Sequence, residues 1–307
     1  MNIVQAFSKG IRRATSEPKM VLVLYLVNLI LAIPLALAFR SVMIAGFGDS
    51  LAPGQMMASL DFTVFQDFMN LHYANLQTVL GQVLSVLVLA MLLQTFLAGG
   101  VLTVLQDEGR KYSTSSFFKG CGTYFFRFFR LFLLFGVILL VVALVVGGIV
   151  IALAEGMTEN ATSELTELWI RFAAIKLFFL PLMLVVMAAD NAKIHIVLHD
   201  ERSVIRACGK GFVFVFRRFF SAFGLEILML LIPMFLFAAY VVIDLAIGMT
   251  TGMTIVLMFL IQQLFMMLRA WTKVLFFAGK MALYRGLQRK PFPEVDTAMV
   301  TPGIEKA

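Results

Sequence analysis

Apolar positions in this chain are gathered into long runs that short polar and basic stretches interrupt. Residues 20–39 hold no charge, nor do 79–105 or 131–154. Three further runs, 172–192, 219–243 and 253–287, are apolar with a few isolated charges. A helix rises about 1.5 Å per residue, so roughly twenty residues cross a hydrocarbon core of about 30 Å. The pattern predicts six transmembrane helices at these positions. The run at 172–192 continues as helix to about Leu198, and the sixth outlasts the membrane. The fold class is therefore all-α and polytopic.

A second pattern lies between the runs. Ile3-Val4-Gln5-Ala6-Phe7-Ser8-Lys9-Gly10-Ile11 opens the chain, Ser116-Phe117-Phe118-Lys119-Gly120-Cys121 precedes the third run, and Val204-Ile205-Arg206-Ala207-Cys208-Gly209-Lys210-Gly211-Phe212 precedes the fifth. Each has a Lys-Gly pair and each leads through arginines into an apolar run. Ile3, Val4, Phe7 and Ile11 are spaced for a short amphipathic helix at the membrane surface, which Pro18 helps to end. The glycine after each lysine is expected to permit the bend from surface to span.

The even-numbered runs agree as well. Val104-Leu105-Gln106-Asp107-Glu108 matches Val197-Leu198-His199-Asp200-Glu201 at four of five positions. These matches predict three parallel two-helix repeats, about 1–105, 106–198 and 199–287, each a basic surface segment, a helix out, an outer loop and a helix back. The loop at 41–77 carries a further amphipathic segment from Leu60 to Leu71. Residues 288–307 are polar, hold three prolines and show no periodicity, so they read as a disordered tail.

Composition sharpens the class. Of 307 residues, 14% are charged, against roughly 25% in an ordinary soluble domain. Mean hydropathy is +0.94. The net charge of +7 does not point to nucleic acid, because its distribution has another cause. Of 25 Lys and Arg, 22 lie on one side of the predicted topology, with Arg40, Arg171 and Lys176 on the other. The positive-inside rule then makes the basic side cytoplasmic, with both termini there. Cys121 and Cys208 fall on that side, so no disulfide is expected. The first apolar run is too long for a cleavable signal.

The basic segments, the turn after Val-Leu-x-Asp-Glu and the six helices together resemble a broad bacterial family of inner-membrane proteins. Most of its members are uncharacterised. It includes the membrane domain fused to some glycerophosphodiester phosphodiesterases. The resemblance covers most of residues 1–287 and implies an inner-membrane location and work on the envelope or its lipids. It carries over no catalytic residue, and this chain has no phosphodiesterase domain. The mitochondrial carriers also have six helices in three repeats. Their Pro-x-Asp/Glu-x-x-Lys/Arg motif is missing here, since Pro34 is followed by Leu35-Ala36-Leu37 and the third run has no proline.

Candidate chemistry is sparse. Lys9, Lys119 and Lys210, with Arg127, Arg217 and Arg218, are candidates for contact with anionic lipid headgroups, each cation contributing about 1 kcal/mol near such a surface. Ordinary topology signalling accounts for the same residues. Glu226 lies about two turns inside the fifth run. An intramembrane carboxylate marks either a pathway, lined with Gln94 and Gln263, or an ion pair with Arg217, Arg218 or the lysines of the fourth and sixth helices. Asn28, Gln94, Gln262 and Gln263 suit interhelical hydrogen bonds. Asp190, Asn191, Lys193 and Lys280 either line a vestibule at the basic end or are solvated.

His195 and His199 have metal-ligand spacing beside Asp200 and Glu201. Neither recurs in the other repeats and no third ligand is evident, so no metal is assigned. No Gly-rich phosphate loop, Ser-His-Asp set or Cys-x-x-Cys motif occurs, so no catalytic residue or cofactor is assigned. The expectation is a non-enzymatic membrane protein of envelope or lipid homeostasis, acting as a subunit or scaffold among lipids and other membrane proteins. The alternative is a small-solute or lipid transporter or channel with its path near Glu226.

Overall fold

The computed structural model describes residues 2–47, 66, 73–107, 112–158, 163–248 and 251–288. Among them there are eight helices: α1 Ile3–Thr15, α2 Pro18–Phe47, α3 Tyr73–Gln106, α4 Thr114–Thr158, α5 Glu164–His199, α6 Val204–Arg217, α7 Phe219–Ala246 and α8 Gly252–Gln288. All but α1 and α6 are long and apolar enough to cross a membrane. The protein is an all-α, multi-pass membrane protein. The amphipathic segment at 60–71 and the tail lie almost wholly, and residues 108–111 wholly, outside the described residues.

Local chemistry sets the ends of these helices. Asn2 caps α1, its side chain accepting from the Ile3 N–H at 2.8 Å while Gln5 accepts from the Asn2 N–H at 3.3 Å. Pro18 does not close α1 but opens α2, where a missing N–H costs nothing. The Ser203 hydroxyl accepts from the Arg206 N–H at the start of α6. α5 begins eight residues earlier than the apolar run, because Glu164 and Glu167 favour a first turn through the helix dipole. It ends on Asp200 in the left-handed conformation (φ 46°), with the Glu201 N–H returning to the Ile196 carbonyl at 3.2 Å. The Val-Leu-x-Asp-Glu motif is thus, at this copy, a helix stop.

The three basic segments differ in form. The first and third are separate helices, broken from the following span at Ser16-Glu17 and at Arg218 (φ −125°, ψ 33°). The second has no such break and runs into the span as one 45-residue helix. At about 1.5 Å per residue α4 is far longer than a hydrocarbon core, so its basic start projects beyond it.

The glycines do not form bends. Gly10, Gly120 and Gly211 are interior helical residues, and each permits a close approach. A Cβ on Gly10 would lie 3.0 Å from the backbone of Gly279 in α8. One on Gly120 would meet Thr103 of α3, and one on Gly211 the Ala188 carbonyl of α5. The second and third basic segments therefore dock on the membrane helix before them in the chain, and α1 docks on α8.

α8 is the hub, packing on α1, α2, α3, α5 and α7. The main core joins Leu24, Leu102, Phe117, Phe128, Leu131, Met187, Ile194 and Leu275, all at most 2% exposed and drawn mostly from the basic ends of the spans. A smaller cluster of Ala6, Leu225, Met229 and Leu283 locks α1 and α7 onto α8. The opposite halves of the spans keep large apolar side chains on the surface, such as Leu84, Leu144, Phe235 and Met253. A multi-pass protein leaves such faces to lipid.

Two glycines two residues apart in α6 test the docking contact. Gly211→Ala should destabilise the detergent-solubilised protein by about 1–3 kcal/mol through overpacking. Gly209→Ala, where an added Cβ meets nothing within 4 Å, should stabilise it by about 1 kcal/mol through helix propensity. Thermal midpoints moving in opposite directions would establish the contact; equal shifts would refute it.

Candidate functional site

At the basic end the chain builds a buried network of charges. Lys280, 5% exposed, donates to Asp190 Oδ2 at 2.7 Å and to Glu226 Oε1 at 3.0 Å, with Glu226 Oε2 at 2.9 Å. Lys193 Nζ reaches Asp190 Oδ1 at 3.1 Å. Three spans, α5, α7 and α8, thus meet on one ammonium group. Its Nζ also lies 5.4 Å from the centroid of the Phe276 ring.

A second polar chain lies beside this one. Asn28 donates to the Leu24 carbonyl at 2.9 Å, Gln94 donates to Asn28 Oδ1 at 2.7 Å, and Lys273 donates to Gln94 Oε1. Elsewhere Tyr25 donates to Gln263 at 2.8 Å and Gln262 to Tyr240 at 3.2 Å. Of the expected set Glu226, Gln94 and Gln263, each is bonded to a residue outside the set: Lys280, Asn28 with Lys273, and Tyr25 respectively. Glu226 pairs with a lysine of the sixth span, and the amides make interhelical hydrogen bonds. Asp190, Lys193 and Lys280 are joined in ion pairs, with side chains 18%, 24% and 6% exposed.

Lys273 was missed as a member of this network. It sits seven residues before Lys280, two turns along the same face of α8, and that spacing was the available signal. Tyr284 was missed too. Its hydroxyl lies 2.8 Å from His195 Nδ1, and the His195 and His199 ring centroids are 4.4 Å apart. Among the described residues no group of three or more His, Cys, Asp and Glu is placed to hold a metal ion. The Ser203 N–H donates to Glu201 at 3.0 Å and holds that carboxyl below its ordinary range. Burial raises the Cys208 thiol, so it is poorly disposed to act as a thiolate.

The candidate headgroup cations have different surroundings. Lys9, Lys119 and Lys210 are exposed, each one residue before a docking glycine. Arg217 and Arg218 are exposed where α6 gives way to α7. Arg127 is committed otherwise: it pairs with Asp200 at 2.5 Å and lies over the Tyr124 ring, fastening α4 to the end of α5.

Only Lys9 of these lines a cavity of about 500 Å³ between α1, α3 and α8. Its cations are Lys9, Arg12, Arg13 and Arg285, joined by Ser16, while Leu105, Ala278 and Met281 form an apolar wall. Arg13 donates to the Val104 and Asp107 carbonyls at 3.0 and 2.8 Å and pairs with Glu17 at 3.3 Å. Arg285 donates to the Gln106 carbonyl at 2.7 Å. Two guanidinium groups therefore cap the C-terminus of α3, where carbonyls lack helical partners and the dipole favours cations. The same groups line the cavity, so its wall is positively charged and two of its cations are fixed by hydrogen bonds.

No family model, curated protein or solved structure matches this chain.

The network makes a sign-definite prediction. Lys280→Met leaves two carboxylates without their shared partner and should cost about 3–5 kcal/mol. Adding Asp190→Asn and Glu226→Gln to it should restore most of the loss. The thermal midpoint of the solubilised variants decides, and a triple variant no better than Lys280→Met would show that the charges do not act as one unit.

Proposed function

We propose that this chain is a non-enzymatic protein of the bacterial cytoplasmic (inner) membrane that serves envelope or lipid homeostasis by holding anionic lipid headgroups at its basic end. The observation that carries this reading is the cavity lined by Lys9, Arg12, Arg13 and Arg285. It combines cations with an apolar wall at the end of the bundle to which the positive-inside rule assigns the cytoplasmic leaflet, and that leaflet presents anionic headgroups. The exposed lysines Lys119 and Lys210 and the pair Arg217 and Arg218 extend the same positive surface. The resemblance to bacterial inner-membrane proteins favours the same location, and the distribution of Lys and Arg over six spans favours both termini in the cytoplasm. The partners are membrane lipids, with other membrane-protein subunits if the chain acts as a scaffold.

The three docking contacts of Gly10, Gly120 and Gly211 support descent of the bundle from one unit copied twice. A transporter or channel with its path near Glu226 has less support. Lys280 already takes up that carboxylate, and Gln94 and Gln263 are bonded to other partners.

Reversal of Lys9, Lys119 and Lys210 to Glu should sharply reduce the phosphatidylglycerol and cardiolipin that copurify, read by native mass spectrometry. Adding Arg12→Glu should reduce them further. Bound anionic lipid equal to that of the parent protein would sink the lipid-contact reading.

A further inference from the structure

A second cavity, open to one side, lies between α4 and α5, about 190 Å³ in volume. Its floor is Leu131 and Phe135, both buried. Its rim holds Phe132, Gly136 and Val186, all exposed on membrane-spanning helices. α4 leaves the basic end while α5 returns to it, so Leu131 and Lys193 lie toward that end and Leu139 and Val186 lie deeper. The crevice follows α4 from Leu131 to Leu139, about 12 Å. It is apolar along this length and charged at one end, where Asp190 and Lys193 line it.

We propose that this crevice seats one acyl chain of an anionic phospholipid from the adjoining leaflet, with the lipid phosphate against Lys193. The size selects a single chain. An apolar cavity of about 150 Å³ in another protein takes up one benzene ring, so this space holds a chain segment and not a whole lipid.

The charge selects the head. Asp190 and Glu226 balance Lys193 and Lys280, but Lys273 adds a further cation that interacts electrostatically with Lys193 and Asp190 and is hydrogen-bonded to the neutral Gln94. The cluster is therefore one positive charge in excess. Lys193 is its most exposed amine among the ion pairs, at 24%, and its ammonium has three donors, of which Asp190 takes one. An anion arriving at the end of the crevice meets that group.

Gly136 borders the open space. A Cβ there meets nothing within 4 Å, in contrast to Gly120 on the same helix. A larger side chain at 136 would fill the crevice without entering the core.

This inference shares with the proposed function only the class of ligand, and its site is separate from the basic cavity. The test uses the full chain in phosphatidylcholine nanodiscs doped with a phosphatidylglycerol probe bearing a photoactivatable diazirine in one acyl chain. Adducts are mapped by peptide mass spectrometry. They should concentrate on 131–139 and 183–193. Gly136→Leu, and Val186→Trp from the opposite wall, should abolish that concentration, whereas Gly136→Ala should retain it. Lys193→Gln should lower the preference for this probe over a phosphatidylcholine probe about tenfold, equivalent to about 1.4 kcal/mol. Adducts spread evenly over the exposed faces of α4 and α5, or unchanged in both filled variants, would overturn the proposal, as would equal labelling by the two probes. Lys9→Glu with Arg12→Glu should leave the crevice adducts intact, so failure at the basic cavity and failure here read separately.

Discussion

The ammonium of Lys280, held between Asp190 and Glu226, is the constraint on which the bundle depends. In lipid, two apolar helices gain little by leaving hydrocarbon for each other, so association falls to close packing and polar contacts. Separating α5 or α7 from α8 would strand a charge where hydration is scarce, at a cost of several kcal/mol. The contact therefore fixes which residues of three spans lie level with one another. α8 extends the device, with Lys273 bonded to α3 through Gln94 and Gln263 bonded to α2 through Tyr25. Four spans are thereby referred to one helix.

α4 is held by other means. Gly120 brings its start into close contact with Thr103 of α3, and Arg127 binds Asp200 at the end of α5. The glycine contacts at 10, 120 and 211 fasten the three basic segments to α8, α3 and α5. The second and third basic segments lie on small residues of the preceding span, Thr103 and Ala188, and α1 lies beside Gly279 of α8. The lysine before each glycine is then turned outward, because its neighbour is the residue that faces the partner helix. Docking and surface charge are two consequences of one Lys-Gly pair.

That pair also marks where sequence reading succeeded and where it stopped. The six spans were legible because a folded chain seldom carries an apolar run of twenty residues for any purpose but crossing a membrane. The helix ends were less so: Thr114 to Leu131 reads as a segment distinct from its span, yet no residue there interrupts the hydrogen-bond ladder, and one helix results. Gly10, Gly120 and Gly211 were found by spacing but assigned a bend, since a sequence cannot distinguish a glycine that turns the chain from one that admits a neighbour. For Glu226, an ion pair with a lysine of the sixth span was among the alternatives. That the lysine is Lys280, and that it is shared with Asp190, depends on how α5 and α7 are rotated about α8. Low amphipathicity in these spans leaves that rotation unwritten in the pattern of apolar positions.

The distribution of packing explains why the functional reading falls on one end of the molecule. Buried side chains, ion pairs and capped carbonyls concentrate where α1, α6 and the ends of α3, α5 and α8 converge. In the other half, residues such as Leu37, Leu144 and Leu245 are more than half exposed. A surface made only of such side chains meets acyl chains without discriminating among lipids, because dispersion contacts with one hydrocarbon chain resemble those with another. Discrimination requires a charge held in place beside an apolar wall. This molecule has that combination in the cavity behind Lys9 and at the end of the crevice beside Lys193, where Arg13 is held by hydrogen bonds at the end of α3 and Lys193 by an ion pair with Asp190.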